Sequence, residues 1–504
     1  MIKLFSLSVF VVLLTHTSFS QKNQLRTLNE VVFSFYKPWD EVKLKTKIPA
    51  YLLKEDIDLF VKTIEEIGVN PYLNFSKDSF YLEIELLKRK MDTPLTRSEF
   101  LKLFVPIVND LKLSHTLVKP DYWVYKNIFE KTGGNYFPVN VKIEHNHLLV
   151  DKDYSNLHLT EGDEIISINT VKSNIIIDSL LRYSVSSTQQ SKIIDVQDDF
   201  SFLLWWVYNF SDTFTIETSK AVYSIQGLTS IELEKLSNGN EVHQTNKEYK
   251  QYEYEQIDSE TSKLIFRDFG IRDSITYNHF LDSAFNQIRN NAIHNLIIDV
   301  RENAGGNDKS IDVVKYLYDK TFKANSKVYY KKSKIAEDFF LLFLYPEDRD
   351  NPLLRKVVND CFGSCEAEHN YGEYYECGDK IYFPKPDSIR FKGNLFVLSD
   401  YKTVSAGVDF VVLIKDYGIG KIIGTETNQS PSNDANGCYF LLPHSNVMAM
   451  GATNYAIRPN GDPSTKRGVI PDYEIHQIKK DTEKGTDTIM DFTMKLIKNK
   501  KLAQ

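Results

Sequence analysis

Long hydrophobic runs are scarce in this 504-residue chain. After residue 20 no stretch approaches eighteen uninterrupted apolar residues, so nothing there reads as a membrane-spanning helix. Basic charge is not in excess either: 61 Lys and Arg against 68 Asp and Glu leave a net charge of −7, spread along the chain. That balance excludes the positive face of a nucleic-acid binder. Cysteine is equally sparse, with only Cys361, Cys365, Cys377 and Cys438, all in the last third. In an exported protein these form one or two disulfides. The alternative, zinc held by Cys361, Cys365, His369 and Cys377, departs from standard ligand spacing. Disulfide or free thiol is the favoured reading, and no metal is expected. Internal repeats and extended low-complexity segments are absent as well.

What is present begins with an export signal over residues 1–20. Lys3 supplies the positive start, Leu4 to Leu14 a short apolar core, and Ser18-Phe19-Ser20 a small-x-small cleavage site. The mature protein is therefore expected in the periplasm or secreted, with no membrane span once the signal is removed. The remaining ~480 residues, with an ordinary globular composition, suggest two or three domains.

Residues 21–134 read as a helical region. Ile57, Phe60, Ile64 and Ile67 recur at helical spacing, as do Phe100, Phe104, Ile107 and Leu111. Thr96 to Glu99 is a capping box, and Pro106 should bend or shorten its helix. Over 135–225 the pattern turns to short strands: Val139 to Ile143, His147 to Val150, and a third entered through the Gly162-Asp163 turn. A helix from Ile175 to Tyr183 follows. Residues 240–255 read as an exposed connection. Over 255–480, strand and helix patterns alternate, which implies a mixed or parallel sheet covered by helices, with an insertion at 320–390. The fold class expected is α/β and multi-domain.

Two turns carry the candidate chemistry. Ser405 follows the strand Asn394 to Ser399 and opens an apolar helix, Val408 to Tyr417. A serine there sits beside unsatisfied backbone N–H groups at the positive end of the helix dipole, where acyl transfer wants a nucleophile. Its bland role would be to cap the helix. The other turn, Asp299 to Gly306, leaves a buried strand and ends in two glycines, which permit close backbone approach and offer N–H groups to an anion. Its bland role would be a tight strand–helix connection.

Together these residues resemble the tail-specific (C-terminal-processing) serine peptidases. Five family segments occur in order: Leu296-Ile297-Ile298-Asp299-Val300-Arg301 through Gly306, then Thr403-Val404-Ser405-Ala406, then Ile422-Ile423-Gly424-Thr425-Glu426-Thr427. Leu442-Pro443-His444-Ser445 and Gly468-Val469-Ile470-Pro471-Asp472 complete the set. Gly162 to Asn169, with the helix after it, resembles the PDZ module. The resemblance implies an N-terminal helical region, a small PDZ-like β unit at 135–225 and a mixed β/α peptidase core. It implies a polypeptide substrate and no cofactor.

The Ser–Lys branch of that family carries its lysine where this chain has Ser430, which lacks an amine, so a Ser–Lys dyad is not expected. Lys402 and Lys421 read as surface lysines. The tricorn-like branch instead takes a histidine from the helical region, and Leu113-Ser114-His115-Thr116 matches that context. The resemblance then implies Ser405 as nucleophile and His115 as general base, with Ser114 positioning the imidazole. The oxyanion would rest on the N–H of Gly305 or Gly306 together with that of Ala406. One departure stands out: Thr465 occupies the position where that branch often has an orienting glutamate. Asp462 and Glu426 are the substitutes nearby. The function expected is an exported serine endopeptidase acting through an acyl-enzyme on unstructured or C-terminal segments. The alternative is a weakened or inactive relative that binds peptides.

Overall fold

The structure is a computed structural model. It describes residues 28–35, 44–155, 157, 159–237, 250–359, 369–377, 380–464, 466–482 and 484–502. The export signal and Thr465 lie outside the described residues. No helix among the described residues is long and apolar enough to cross a membrane.

After a short helix at Leu28–Phe35 come three longer ones: α1 (Ala50–Ile67), α2 (Lys77–Lys90) and α3 (Arg97–Asn109). Ile57, Phe60, Ile64 and Ile67 of α1 are all buried, as their spacing predicts. Each such side chain contributes about 1.5–3 kcal/mol of transfer free energy. Both arms of the capping box form at α3: the Thr96 N–H donates to Glu99 Oε2 at 2.7 Å, and the Glu99 N–H to Thr96 Oγ1 at 3.2 Å. Pro106 lies in the last turn of α3, and the helix ends soon after it. The chain then runs through Ser114 and His115 into the short strand β1 (Leu117–Lys119).

An antiparallel sheet follows, in the order β2 (Val139–Glu144), β3 (His147–Asp153), β4 (Glu164–Ile168), β5 (Thr213–Thr218) and β6 (Val222–Gln226). Strict alternation of buried and exposed residues along β2 and β5 shows one covered face and one wet face. The helices Ser173–Leu181, Gln189–Asp198 and Phe200–Tyr208 pack on it. This sheet shares one hydrophobic core with α1–α3, so Phe60, Phe104, Val141, Trp206 and Phe214 belong to the same cluster.

The second half is built on a six-stranded sheet. Its members are β7 (Tyr252–Gln256), β8 (Thr261–Phe266), β9 (Asn295–Asp299), β10 (Asn394–Ser399), β11 (Lys421–Gly424) and β14 (Tyr473–Glu474), lying side by side in that order. All pairs are parallel except β7 with β8. The central strands β9 and β10 are buried nearly throughout, as expected of parallel strands covered on both faces. Between β10 and β11 runs helix α4 (Ala406–Asp416).

A long hairpin, β12 (Asn433–Leu442) and β13 (Val447–Ile457), joins the two halves. β13 pairs with β1 of the N-terminal region, Leu117 opposite Met450, and with Lys327–Lys331 of the insertion. Leu442, Val447 and Ala449 enter the N-terminal core. Within the insertion Cys377 is disulfide-bonded, which removes it from any zinc site. Cys438 is a free, buried thiol.

Candidate active site

The carboxyl ends of β9 and β10, central in a parallel sheet, are where such folds place their ligands. After β10 the chain makes a sharp elbow. The Thr403 hydroxyl donates to the Val300 carbonyl at 2.9 Å, and the Val404 N–H to the Asn303 carbonyl at 2.9 Å. Gln429 Oε1 accepts the Ser405 N–H at 2.5 Å. Ser405 is left at φ 50° and ψ −124°, a region that a non-glycine residue occupies only when its surroundings force it. Its hydroxyl makes no capping bond to α4. The bland role for this serine is therefore not the one it plays.

The glycine turn lies directly against it. A Cβ on Gly305 would fall 2.6 Å from Ser405 Cβ and 3.2 Å from its Oγ, so only glycine admits the serine there. Gly305 also has φ 86°. Its N–H, however, donates to Asn303 Oδ1 at 2.9 Å. In this structure the Gly305 donor is thus taken up inside the turn, and what the glycine gives Ser405 is the space left by its missing side chain. Gly306, at φ 140°, fits against the Phe269–Gly270 backbone, and neither its N–H nor that of Ala406, the first residue of α4, has a hydrogen-bond partner among the described residues. Behind the turn Arg301 clamps Asp299 and Asp487, with Nη2 at 2.7 Å from both carboxylates.

On the other side stands His115, between α3 and β1. Asp434, near the start of β12, accepts the His115 N–H at 2.7 Å and the Ser114 N–H at 2.9 Å. The Ser114 hydroxyl donates to Asp434 Oδ1 at 2.9 Å and lies 3.0 Å from His115 Nδ1. A serine hydroxyl has one hydrogen and a carboxylate has none to give. The Ser114 hydrogen therefore goes to Asp434, and Nδ1–H donates to Ser114 Oγ. That tautomer leaves Nε2 with a free lone pair, which a general base needs.

Asp434 is the site residue that sequence reasoning missed. Glu426 instead accepts the Gly468 N–H at 2.6 Å and pairs with Arg467, while Asp462 accepts the Ser464 N–H at 2.9 Å and so caps its own turn. Neither is bonded to Ser114 or His115. Ser430 is buried and lines a small polar niche with Ser114 and Asp434. Lys402 lies 3.7 Å from Asp198, and Lys421 lies 4.0 Å from Asp472, both as exposed partners.

Segment 429–434 thus touches both halves of the site, through Gln429 at the Ser405 elbow and Asp434 at His115. In this structure Ser405 Oγ and His115 Nε2 make no hydrogen bond to each other. Among the described residues no group of three or more His, Cys, Asp or Glu is placed to hold a metal.

Residues 266–475 match a sequence model described as peptidase family S41. No curated protein sequence matches the chain. Among solved structures, mature CPAF superposes with a TM-score of 0.55 at 13% identity, over 85% of this chain and 93% of that one. Mature CPAF complexed with lactacystin gives 0.57 at 12% identity, over 90% and 98%. At such identities the likeness speaks for the fold.

Proposed function

We propose that this chain is a serine-type peptidase of family S41, whose sequence model matches residues 266–475, with Ser405 as its nucleophile and His115 as its general base. Ser405 Oγ attacks the peptide carbonyl carbon while its proton passes to His115 Nε2. The oxyanion rests on the N–H groups of Gly306 and Ala406. The C–N bond breaks as His115 returns the proton to the leaving amine. Water then enters through the same imidazole and releases the acyl group from Ser405. Asp434 and Ser114 act through His115 by setting its tautomer; they are positioning residues.

One observation carries this reading. The Ser405 hydroxyl is held off its own helix, in a forced conformation, against a glycine that nothing larger can replace. Proton transfer requires Ser405 Oγ and His115 Nε2 to close to about 3 Å, a contact that free enzymes often tighten only when substrate is bound.

We further read the substrate as an unstructured or C-terminal segment of a polypeptide. The β2–β6 unit resembles a PDZ module on its Gly162–Asn169 turn, and residues 1–20 support export to the periplasm or beyond. Labelling with a fluorophosphonate tests the core of the proposal. Wild type should label, and Ser405→Ala and His115→Ala should not. A folded wild type that stays unlabelled would give preference to the weakened, peptide-binding reading.

A further inference from the structure

Just past the glycine turn lies a cavity that the steps above do not use. The short helix Lys309–Val314 follows that turn and packs on α4. Asp308, Ile311 and Asp312 supply part of the wall of this cavity, whose volume is about 240 Å³. Ile381, Tyr382 and Phe383 of the insertion supply another part. Gly305 lies against Ser405, and three peptide units span at most about 11 Å, so Asp308 is within that distance of the glycine. At about 3.3 Å per residue, an extended peptide seated at Ser405 covers that distance in about three residues.

The insertion wall is fixed, yet its apolar side chains are left uncovered. Tyr382 pairs with Phe322 in a two-stranded ladder and stacks on its ring, with centroids 5.5 Å apart. The Lys385 N–H donates to the Lys315 carbonyl at 2.8 Å. Between those fixed points Phe383 is 69% exposed, and the neighbouring Ile381 is 54% exposed. Large apolar side chains held this way around a cavity mark a place for a ligand.

The charged groups of the wall choose among ligands. Asp312 is paired with Lys309 at 3.3 Å and with Lys315 at 2.6 Å. With Asp308 and Lys380 included, three ammonium groups stand against two carboxylates, so a lysine or arginine side chain meets no surplus of negative charge. An acidic side chain would lose its water against Ile311, Tyr382 and Phe383. Lys315 and Lys380 lie 5.7 and 6.0 Å from the centre of the Tyr382 ring. Ammonium groups are drawn to ring faces, and rings pack offset or edge to face on one another. A second ring would find both kinds of partner here, and about 150 Å³ is room enough for benzene.

We propose that this cavity is a substrate subsite that takes an aromatic side chain within about three residues of the scissile bond. The inference rests on Ser405 as the nucleophile. Ile381 and Phe383 are its specificity residues.

The test uses the Ser405→Ala protein and an unstructured peptide of Ala, Ser and Gly with one central Phe, paired with the same peptide carrying Ala, Leu or Lys there. The Phe peptide should bind about tenfold more tightly than the Ala peptide, a difference of about 1.4 kcal/mol, with Leu and Lys short of Phe. Adding Ile381→Ala and Phe383→Ala together, both at exposed positions that folding does not need, should make the Phe and Ala affinities equal. Equal binding of those two peptides by Ser405→Ala alone, a Phe preference that survives the paired change, or Lys bound as tightly as Phe overturns the proposal. Cleavage of the Phe peptide by wild type is scored separately. Phe-selective binding without cleavage would support the subsite while removing the nucleophile role from Ser405.

Discussion

Asp434 grips His115 from two directions: directly at its backbone N–H, 2.7 Å away, and through the Ser114 hydroxyl at its ring. The residues come from opposite ends of the chain.

Replacing Asp434 with Ala should lower kcat by about 10²–10³-fold with little change in KM, because the imidazole loses its enforced tautomer while binding and the oxyanion donors persist. The acid limb of the kcat/KM profile should move as well, which a purely structural loss would not cause. Ser114→Ala should act in the same direction and less strongly. Wild-type kinetics in a folded Asp434→Ala protein would remove this role.

Gly305→Ala should abolish fluorophosphonate labelling. The new methyl would meet Ser405 Cβ at 2.6 Å, and alanine at φ 86° adds roughly 1–2 kcal/mol of backbone strain. The melting temperature should fall by only a few degrees. A variant that labels at the wild-type rate would show that the elbow tolerates a displacement the packing forbids.

How far the sequence could be read depended on how local each contact is. The capping box of Thr96 and Glu99, the buried face of α1 and the Ser405 elbow are set by residues a few positions apart, and all were legible. Gly305 and Gly306 were not told apart, since adjacent glycines look alike until the Asn303 side chain folds back on one of them. Asp434 was hidden for a deeper reason. It reaches His115 only because β13 pairs with both β12 and β1, a register settled by tertiary packing that leaves no periodic trace in the sequence. For the same reason α1–α3 and the β2–β6 unit did not reveal in advance that they share one core.

Asp409 also predicts a pH dependence of stability. Burial on α4 pushes its carboxyl up to about 7 in the folded protein against an ordinary 3.8, so the folded state holds the proton more tightly. The stability this contributes is fully present below about pH 4 and is lost as pH rises through 7. Asp409→Asn should therefore gain on wild type across that window, by on the order of 2 kcal/mol once solvent access to the half-buried group is allowed for. Denaturant midpoints at pH 4 and pH 8 measure it. A difference that does not change with pH would contradict the assignment.

Cys438 should resist iodoacetamide in the native protein and react only on unfolding. It is fully buried, and burial pushes its thiol well above the usual range, so almost no thiolate is available. Rapid alkylation under native conditions would count against the packing of β12.

The pairing of β1 with β13 also has a consequence for timing. His115 leaves the ribosome long before Ser405, Asp434 and Met450, yet its anchor exists only after all three have been made. On the proposed assignment a partly synthesised chain lacks the anchored imidazole, so the site is assembled only when the last long hairpin closes.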